Sequence, residues 1–535
     1  KYPIGIQSFE SLINDGYIYV DKTALIYQLV HTGRYYFLSR PRRFGKSLLI
    51  STLEAYFNGQ QELFKGLEME RLEKEWTKYP VLHLDLNTSK YDEKNSLIDI
   101  LNDTLCQWEN IYGAVSSEVN PELRFKGIIR RAYEQTGQRV VILVDEYDKP
   151  MLQAIGDEEL QNEYRNTLKA FYSVMKTQDR YIRFGFLTGV TKFGKVSVFS
   201  DLNNLIDLSM DRQFQTLCGM TDKEIHTYFE EPLHQIAENY GITYDEVCLR
   251  LKERYDGYRF RQNGTNLYNP FSLLNTFRSL EFGSYWFETG TPSYLVELLK
   301  RHNYDLYRMA HEETNADILN SIDSESTNPI PVIYQSGYLT IKGYDPRFGM
   351  YRLGFPNREV EEGFLKYLMP FYANADKVDS PFQIQKFVNE VETGQVDAFF
   401  RRLSSLMADT PYELVRDLEL HYQNILFIVF KLVGFYVKAE YHTSEGRVDL
   451  VLQTDKYTYV MEFKFDSTAE EALRQINENY ARPFEADTTR TLYKIGINFS
   501  SKTRNIEKWL VETVDPAVNG NRNRGKGNGE NEKIR

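Results

Sequence analysis

Short saturated apolar runs alternate with helix-spaced apolar positions through the first part of the chain. The runs are Tyr35–Ser39, Val81–Leu86 after Pro80, Arg139–Asp145 with five consecutive aliphatics, Ile182–Thr188 before Gly189, and Asn204–Leu208. Leu48, Leu49, Ile50, Leu53, Tyr56 and Phe57 are spaced for one helix face, and the stretches Ser96–Trp108 and Leu123–Glu134 read the same way. Strands alternating with helices predict a parallel sheet, and an unbroken aliphatic strand suits its centre, covered on both faces. Residues 216–300 predict helices with aromatic anchors, one capped by Asn269 and opened by Pro270. Residues 301–389 predict a connector with a small strand pair around Ser336–Ile341 and Leu353–Asn357.

Near the end the pattern changes. An apolar helix face over Leu418–Val433 precedes strand-like runs Phe435–Tyr441, Val448–Leu452 and Tyr457–Phe465, then a helix Thr468–Tyr480 and a strand Leu492–Phe499. From Asn519 the chain is rich in Asn, Gly and charge and predicts a disordered tail. The expected divisions are 1–215, 216–300, 301–389, 390–515 and 516–535. Length supports them, since 535 residues imply about three to four domains.

Composition excludes several classes. A net charge of −12 argues against coating nucleic acid or an anionic membrane over the whole surface, while leaving room for a local basic groove. Cys106, Cys218 and Cys248 are too far apart for a zinc site or a disulfide framework, so a reducing, cytoplasmic setting is expected. No run reaches the roughly 18 apolar residues of a membrane span, and no signal-like segment opens the chain. The chain begins at Lys1 without a Met, which leaves room for a short leader.

The segment Arg40-Pro41-Arg42-Arg43-Phe44-Gly45-Lys46-Ser47 joins the first strand to the first helix pattern. Its ending fits a phosphate-binding loop: main-chain amides and the helix N-terminus face phosphate, Lys46 reaches the β/γ-phosphates, and the Ser47 hydroxyl ligates Mg²⁺. The motif expects its first glycine where Arg40 stands. Asp145-Glu146 closes the central strand at the end where such sheets bind ligands. Asp145 is the candidate Mg²⁺ holder and Glu146 the candidate polariser of attacking water. The same pair also ends ordinary core strands in solvated turns. Thr188 or Thr191 is the candidate polar residue facing the γ-phosphate, with Lys192 and Lys195 close behind and Arg259 a further candidate from the helical region.

Asp449 lies in Gly446-Arg447-Val448-Asp449, Glu462 and Lys464 in Val460-Met461-Glu462-Phe463-Lys464, and Gln475 on the following helix. Residues two apart on a strand share a face, so Glu462 and Lys464 project together and Asp449 on the neighbouring strand can meet them. Two carboxylates there suit a divalent metal with hard oxygen ligands. Lys464 can orient a water or neutralise an oxyanion. Glu419 and Glu440 are alternatives for a further acidic position, and His421 and His442 read as structural.

The pieces Gly5–Glu10, Tyr19–Thr23, Arg40–Ser47, Asp145–Pro150, Phe199–Asn204 and Tyr255–Tyr258 resemble the bacterial AAA-ATPase-like family, in which an arginine at position 40 of such a loop is usual. Residues 390–510 are similar to the family-nine type of the PD-(D/E)xK nuclease superfamily. The resemblance implies an α/β multidomain protein: a P-loop parallel sheet with a helical or winged-helix lid, then an α-β-β-β-α-β nuclease-like domain. It implies ATP and Mg²⁺ as cofactors, with Arg40, Arg43, Phe44, Gly45, Lys46, Ser47, Asp145 and Thr188 around the nucleotide. Ser47, Asp145, Asp449 and Glu462 would hold metal, and Glu146, Asp449, Glu462, Lys464 and Gln475 would carry catalysis. Nucleic acid, DNA foremost, is the implied partner, with no membrane and a homo-oligomer left open. The expected function is an ATPase module that regulates or positions a nuclease. The alternative is a nucleotide-dependent switch or scaffold whose C-terminal domain binds nucleic acid or protein without cutting.

Overall fold

The computed structural model describes residues 1–192, 204–287, 293–309, 311–320, 328–373, 380–408, 417–444, 447–480, 482–485, 487 and 489–516. Side chains at 293, 294, 297, 301, 441–444, 447–449, 480, 482 and 483 are not described. Lys195, Phe199–Asn203, Gly446 and nearly all of the expected tail therefore lie outside the described residues.

Two compact units emerge, Lys1–Leu298 with His311–Glu361, and Leu299–Ala310 with Glu362–Arg535. In the first, β1 (Tyr35–Ser39), β2 (Val81–Asp85), β3 (Val140–Asp145), β4 (Ile182–Gly189) and β5 (Ile206–Asp207) form a sheet in the order β2-β3-β4-β1-β5. Every pairing is parallel. All residues of β1 and β3 are buried, as their unbroken apolar pattern requires of central strands. The helices run slightly longer than the apolar spacing alone marks, Ser96–Tyr112 and Pro121–Thr136, the latter capped by Asn120.

The helices Asp222–Tyr228, Glu230–Tyr240, Tyr244–Tyr255 and Pro270–Ser279 share a core of Ile225, Phe229, Leu233, Val247, Leu251, Leu273 and Phe277. The Asn269 carboxamide caps the last of them through the Phe271 and Ser272 amides. Tyr2, Ile4 and Val20 pack against this cluster, so the first residues of the chain close over helices far downstream. The expected strand pair is a three-stranded sheet instead, β6 (Glu313–Asn315), β7 (Thr340–Asp345) and β8 (Met350–Gly354), in the order β6-β8-β7.

The second unit carries the helix Leu418–Val433 and a mixed sheet in the order β13-β12-β11-β10-β9. Its strands are β9 (Lys438–Ser444), β10 (Arg447–Gln453), β11 (Tyr457–Phe465), β12 (Thr491–Ser500) and β13 (Asn505–Val514). The first strand starts later than its apolar pattern suggests. Residues 435–437 are spent on the helix end, where the Tyr436 and Val437 amides both donate to the Val433 carbonyl. β13 is an additional strand, which pairs antiparallel with β12 and covers one edge. The helix Ala469–Gln475, capped by Thr468, widens into a π-helical turn over Ile476–Tyr480.

That helix lies so close to β12 that a Cβ at Gly496 would overlap the Ala469 carbonyl oxygen and the Leu473 amide. Both are main-chain atoms and cannot swing away. Gly496→Ala is therefore expected to destabilise the second unit by about 1–3 kcal/mol in denaturant titrations. A second prediction concerns His421, which stacks against Tyr372. Burial, then the charge of Lys300, pull its imidazole down to about 4. The unfolded chain thus takes up this proton first as pH falls below 6.5. The associated stability is full above that pH and lost toward pH 4. Between pH 7 and 4 the unfolding free energy of the wild type is expected to fall by up to roughly 3 kcal/mol more than that of His421→Phe.

Candidate functional site

Parallel pairing brings the C-terminal ends of β1, β3 and β4 to one edge of the first sheet, with β4 between the other two. The Arg40–Ser47 loop leaves β1 there and enters the helix Lys46–Phe57. Gly45 is the N-cap, at φ 92 with no atom near its Cβ direction, and no side chain caps that first turn. Uncapped first-turn amides with the helix dipole behind them suit an anion. Arg43 and Glu146 also adopt left-handed conformations, φ 64 and φ 53. Such conformations cost a side-chain-bearing residue about 1–3 kcal/mol and concentrate at ligand sites.

The loop lines a cavity of about 1110 Å³. Its charged lining comprises Lys22, Arg42, Arg43, Lys46, Lys90 and Lys149 against Asp92 and Glu146. A chain of net charge −12 therefore presents a cationic pocket at this one edge. Apolar side chains including Ile6, Ile18, Val20, Phe271 and Leu274 line it too, so it can take a ligand with a polyanionic end and a flat apolar end.

Lys46 is almost fully buried. Its Nζ lies 3.1 Å from Glu146 Oε1 and donates to the carbonyls of Arg40 (3.2 Å) and Pro41 (3.3 Å). Gly45, Ser47, Phe44 and Arg43 line the cavity with it, and the Arg43 guanidinium lies 5.0 Å from the Phe271 ring centre. Asp145 is buried and accepts the Thr188 hydroxyl at 2.5 Å. Neither Asp145 nor Thr188 is among the side chains lining the cavity, and neither is Arg40. Arg40 is 1% exposed and spends its guanidinium on main-chain carbonyls within the fold. Lys192 pairs with Asp207 (2.8 Å), and the Arg259 guanidinium donates to Asn266 (2.9 and 3.1 Å); neither lines the cavity.

Asp148 has no role in the sequence reading, yet it ties the acidic turn to the end of β4. Its carboxylate is fully buried and accepts the amides of Val190 and Thr191 and the Thr191 hydroxyl (2.5 Å). Burial, then the Glu146 charge, push its carboxyl up to about 6. Trp286 was equally invisible: its indole N–H donates to the Arg42 carbonyl at 3.1 Å. One-dimensional spacing carries no signal for either, because both act through contacts distant in sequence.

In the second unit, Glu462 is 1% exposed and Lys464 Nζ donates to Glu462 Oε1 (2.7 Å) and to Gln475 Oε1 (2.6 Å). Gln475 reaches this pair because its helix is seated against β12 at Gly496. Asp449 stands directly across from Glu462 in the β10–β11 register, with its side chain outside the described residues. Among the described residues no group of three or more acidic, histidine or cysteine side chains could hold a metal ion, and Glu462 supplies one buried carboxylate beside Lys464. Glu419 lies on the helix Leu418–Val433, and burial followed by Asp417 and Asp466 raises its pKa. Glu440 is exposed on β9, beside Lys438.

A parallel sheet in which a strand separates the loop strand from the acidic strand, in one chain with a mixed sheet carrying Glu462 and Lys464, defines the class: a P-loop ATPase-like protein with a nuclease-type C-terminal domain. Residues 3–199 match the family model described as predicted AAA-ATPase, and residues 417–509 match that of the PD-(D/E)XK nuclease superfamily. The chain is 34% identical over 531 residues to an uncharacterized protein in the vnfD 5′ region of Azotobacter chroococcum mcd 1, covering 96% of this chain and 99% of that one. The chain belongs to this family of AAA-ATPase-like proteins with a C-terminal PD-(D/E)XK nuclease superfamily domain. No solved structure matches it.

Truncating Asp148 tests the tie between the acidic turn and β4. Asp148→Ala strands buried amides of Val190 and Thr191, and is expected to lower stability by at least about 1–3 kcal/mol in thermal or denaturant unfolding.

Proposed function

We propose that this protein binds and hydrolyses ATP, and that its P-loop module regulates or positions a Mg²⁺-dependent nuclease acting on nucleic-acid phosphodiesters in the cytoplasm. The observation that carries the reading is Lys46 and Glu146 meeting at the uncapped N-terminus of a helix, inside a cavity with six cationic side chains against two carboxylates. Lys46 neutralises the β/γ-phosphates and Glu146 orients the attacking water, while Thr188 holds Asp145 in place by its hydrogen bond. Residues 216–300 act as a lid. In the C-terminal domain Lys464, steadied by Gln475, orients water or neutralises the oxyanion. Ser47 and Asp145 in one site, and Asp449 and Glu462 in the other, are the residues to hold Mg²⁺, which supplies charge neutralisation at phosphoryl oxygens and a more acidic water.

The second reading is a nucleotide-dependent switch or scaffold whose C-terminal domain binds nucleic acid or protein without cutting, and one observation favours its switch part. Lys46 is already engaged by Glu146 and two loop carbonyls, so nucleotide must displace existing contacts, which suits slow turnover.

Both readings are tested with purified protein, plasmid or RNA, and Mg²⁺, with and without ATP. The nuclease reading expects Asp449→Ala to lose cleavage by about 100-fold or more. Wild-type inertness on single- and double-stranded DNA and on RNA favours the switch. Lys46→Ala is expected to abolish the ATP dependence of cleavage, and a Lys46→Ala protein that cuts as well as wild type at every ATP level ends the regulatory reading. Glu146→Gln is expected to slow hydrolysis by about 100-fold while retaining nucleotide.

A further inference from the structure

Arg40 occupies the place of the glycine that opens a phosphate-binding loop, where absence of a side chain normally permits the turn. Here the turn is held from outside. The Arg40 guanidinium donates to the carbonyls of Ser39 (2.9 Å), Ser209 (2.9 Å) and Gln215 (3.4 Å), and lies 4.1 Å from the Phe260 ring centre. Its own amide donates to the Gly189 carbonyl at the end of β4. Its own carbonyl is one of the two loop oxygens that accept Lys46 Nζ. The main chain at Arg40 thus holds the lysine, and the side chain fastens that main chain to residues 209–215 and 260.

A planar, forked donor with an aromatic face fits this task, since three carbonyls and a ring are engaged at once. The alternative, a direct phosphate contact, would take a 1% exposed guanidinium away from all four partners. Phe44 shares the anchor: its ring stands edge-on to Tyr258 (4.8 Å) and Phe260 (5.5 Å). Phe260 therefore contacts both ends of the loop.

We propose that Arg40 is a positioning residue for nucleotide binding: it clamps the loop to the segments after β5 and thereby sets where Lys46 stands, without touching phosphate. The proposal rests on the reading of Arg40–Ser47 as a phosphate-binding loop. It has a counter-intuitive consequence, because restoring the motif glycine is expected to impair the site.

The test uses the full chain with Mg²⁺ and a fluorescent ATP analogue, with melting temperature and the kcat and KM of ATP hydrolysis measured in parallel. Wild-type binding that Lys46→Ala weakens supports the loop reading; a wild type that binds no nucleotide sinks that reading itself. Given wild-type binding, Arg40→Gly and Arg40→Lys are each expected to raise Kd by about tenfold or more, the scale of one lost charge-assisted hydrogen bond. KM is expected to rise more than kcat falls, and free guanidinium, but not ammonium at equal ionic strength, is expected to restore binding to Arg40→Gly. A folded Arg40→Gly that binds as tightly as wild type overturns the clamp. So does an Arg40→Lys of wild-type affinity, since charge alone would then suffice. If either Arg40 variant fails to fold, Phe260→Leu decides: weakened binding supports the clamp and unchanged binding overturns it.

Discussion

The insertion of β4 between β1 and β3 is the constraint on which the first unit depends. Parallel register along β1–β4 and β3–β4 delivers Ser39, Asp145 and Gly189 to one edge. The ladder then continues past the strands: the Arg40 amide donates to the Gly189 carbonyl, and the Tyr147 amide to the Thr188 carbonyl. The Arg40–Ser47 loop and the acidic turn are thereby both built onto β4, although they lie far apart in the chain. Asp148 reinforces this from the side-chain level by accepting the Val190 and Thr191 amides.

Around that edge, buried polar groups define positions more than they add stability. A guanidinium, an ammonium and two carboxylates, those of Arg40, Lys46, Asp145 and Asp148, are all almost fully withdrawn from water. Each finds specific partners, as burial of charge demands. Two of the positively charged side chains work in different directions. Lys46 lines the cavity, whereas Arg40 faces main-chain carbonyls in the fold. Chemically similar residues six apart are separated by where the backbone points them.

The second unit reaches its arrangement by register rather than by a loop. Period-two geometry puts Glu462 and Lys464 on one face, and antiparallel pairing puts Asp449 opposite Glu462. Gln475 joins only because glycine at 496 lets its helix approach the sheet. The parallel pairing of β11 with β12 and the antiparallel cover of β13 complete the sheet on the other side.

Much of this was legible in one dimension. Unbroken aliphatic runs marked central strands, because a strand covered on both faces has no polar side. Gly45-Lys46-Ser47, Asp145-Glu146 and Glu462-Phe463-Lys464 each carry their geometry within a few residues, and with the order of the elements around them and the family resemblance they stood out as candidate sites. β13 escaped because its apolar positions, Ile506, Trp509, Leu510, Val511 and Val514, do not alternate, and an edge strand tolerates polar residues between them. The strand after Val433 was placed too early because the helix end consumed residues that look equally apolar. Tertiary structure alone decided that Arg40 faces inward, that Asp148 bridges two strand ends, that Trp286 reaches the Arg42 carbonyl, and that Lys46 lies against Glu146. Each of these depends on a partner far away in sequence, and a side chain's direction is settled by what the folded chain brings to it.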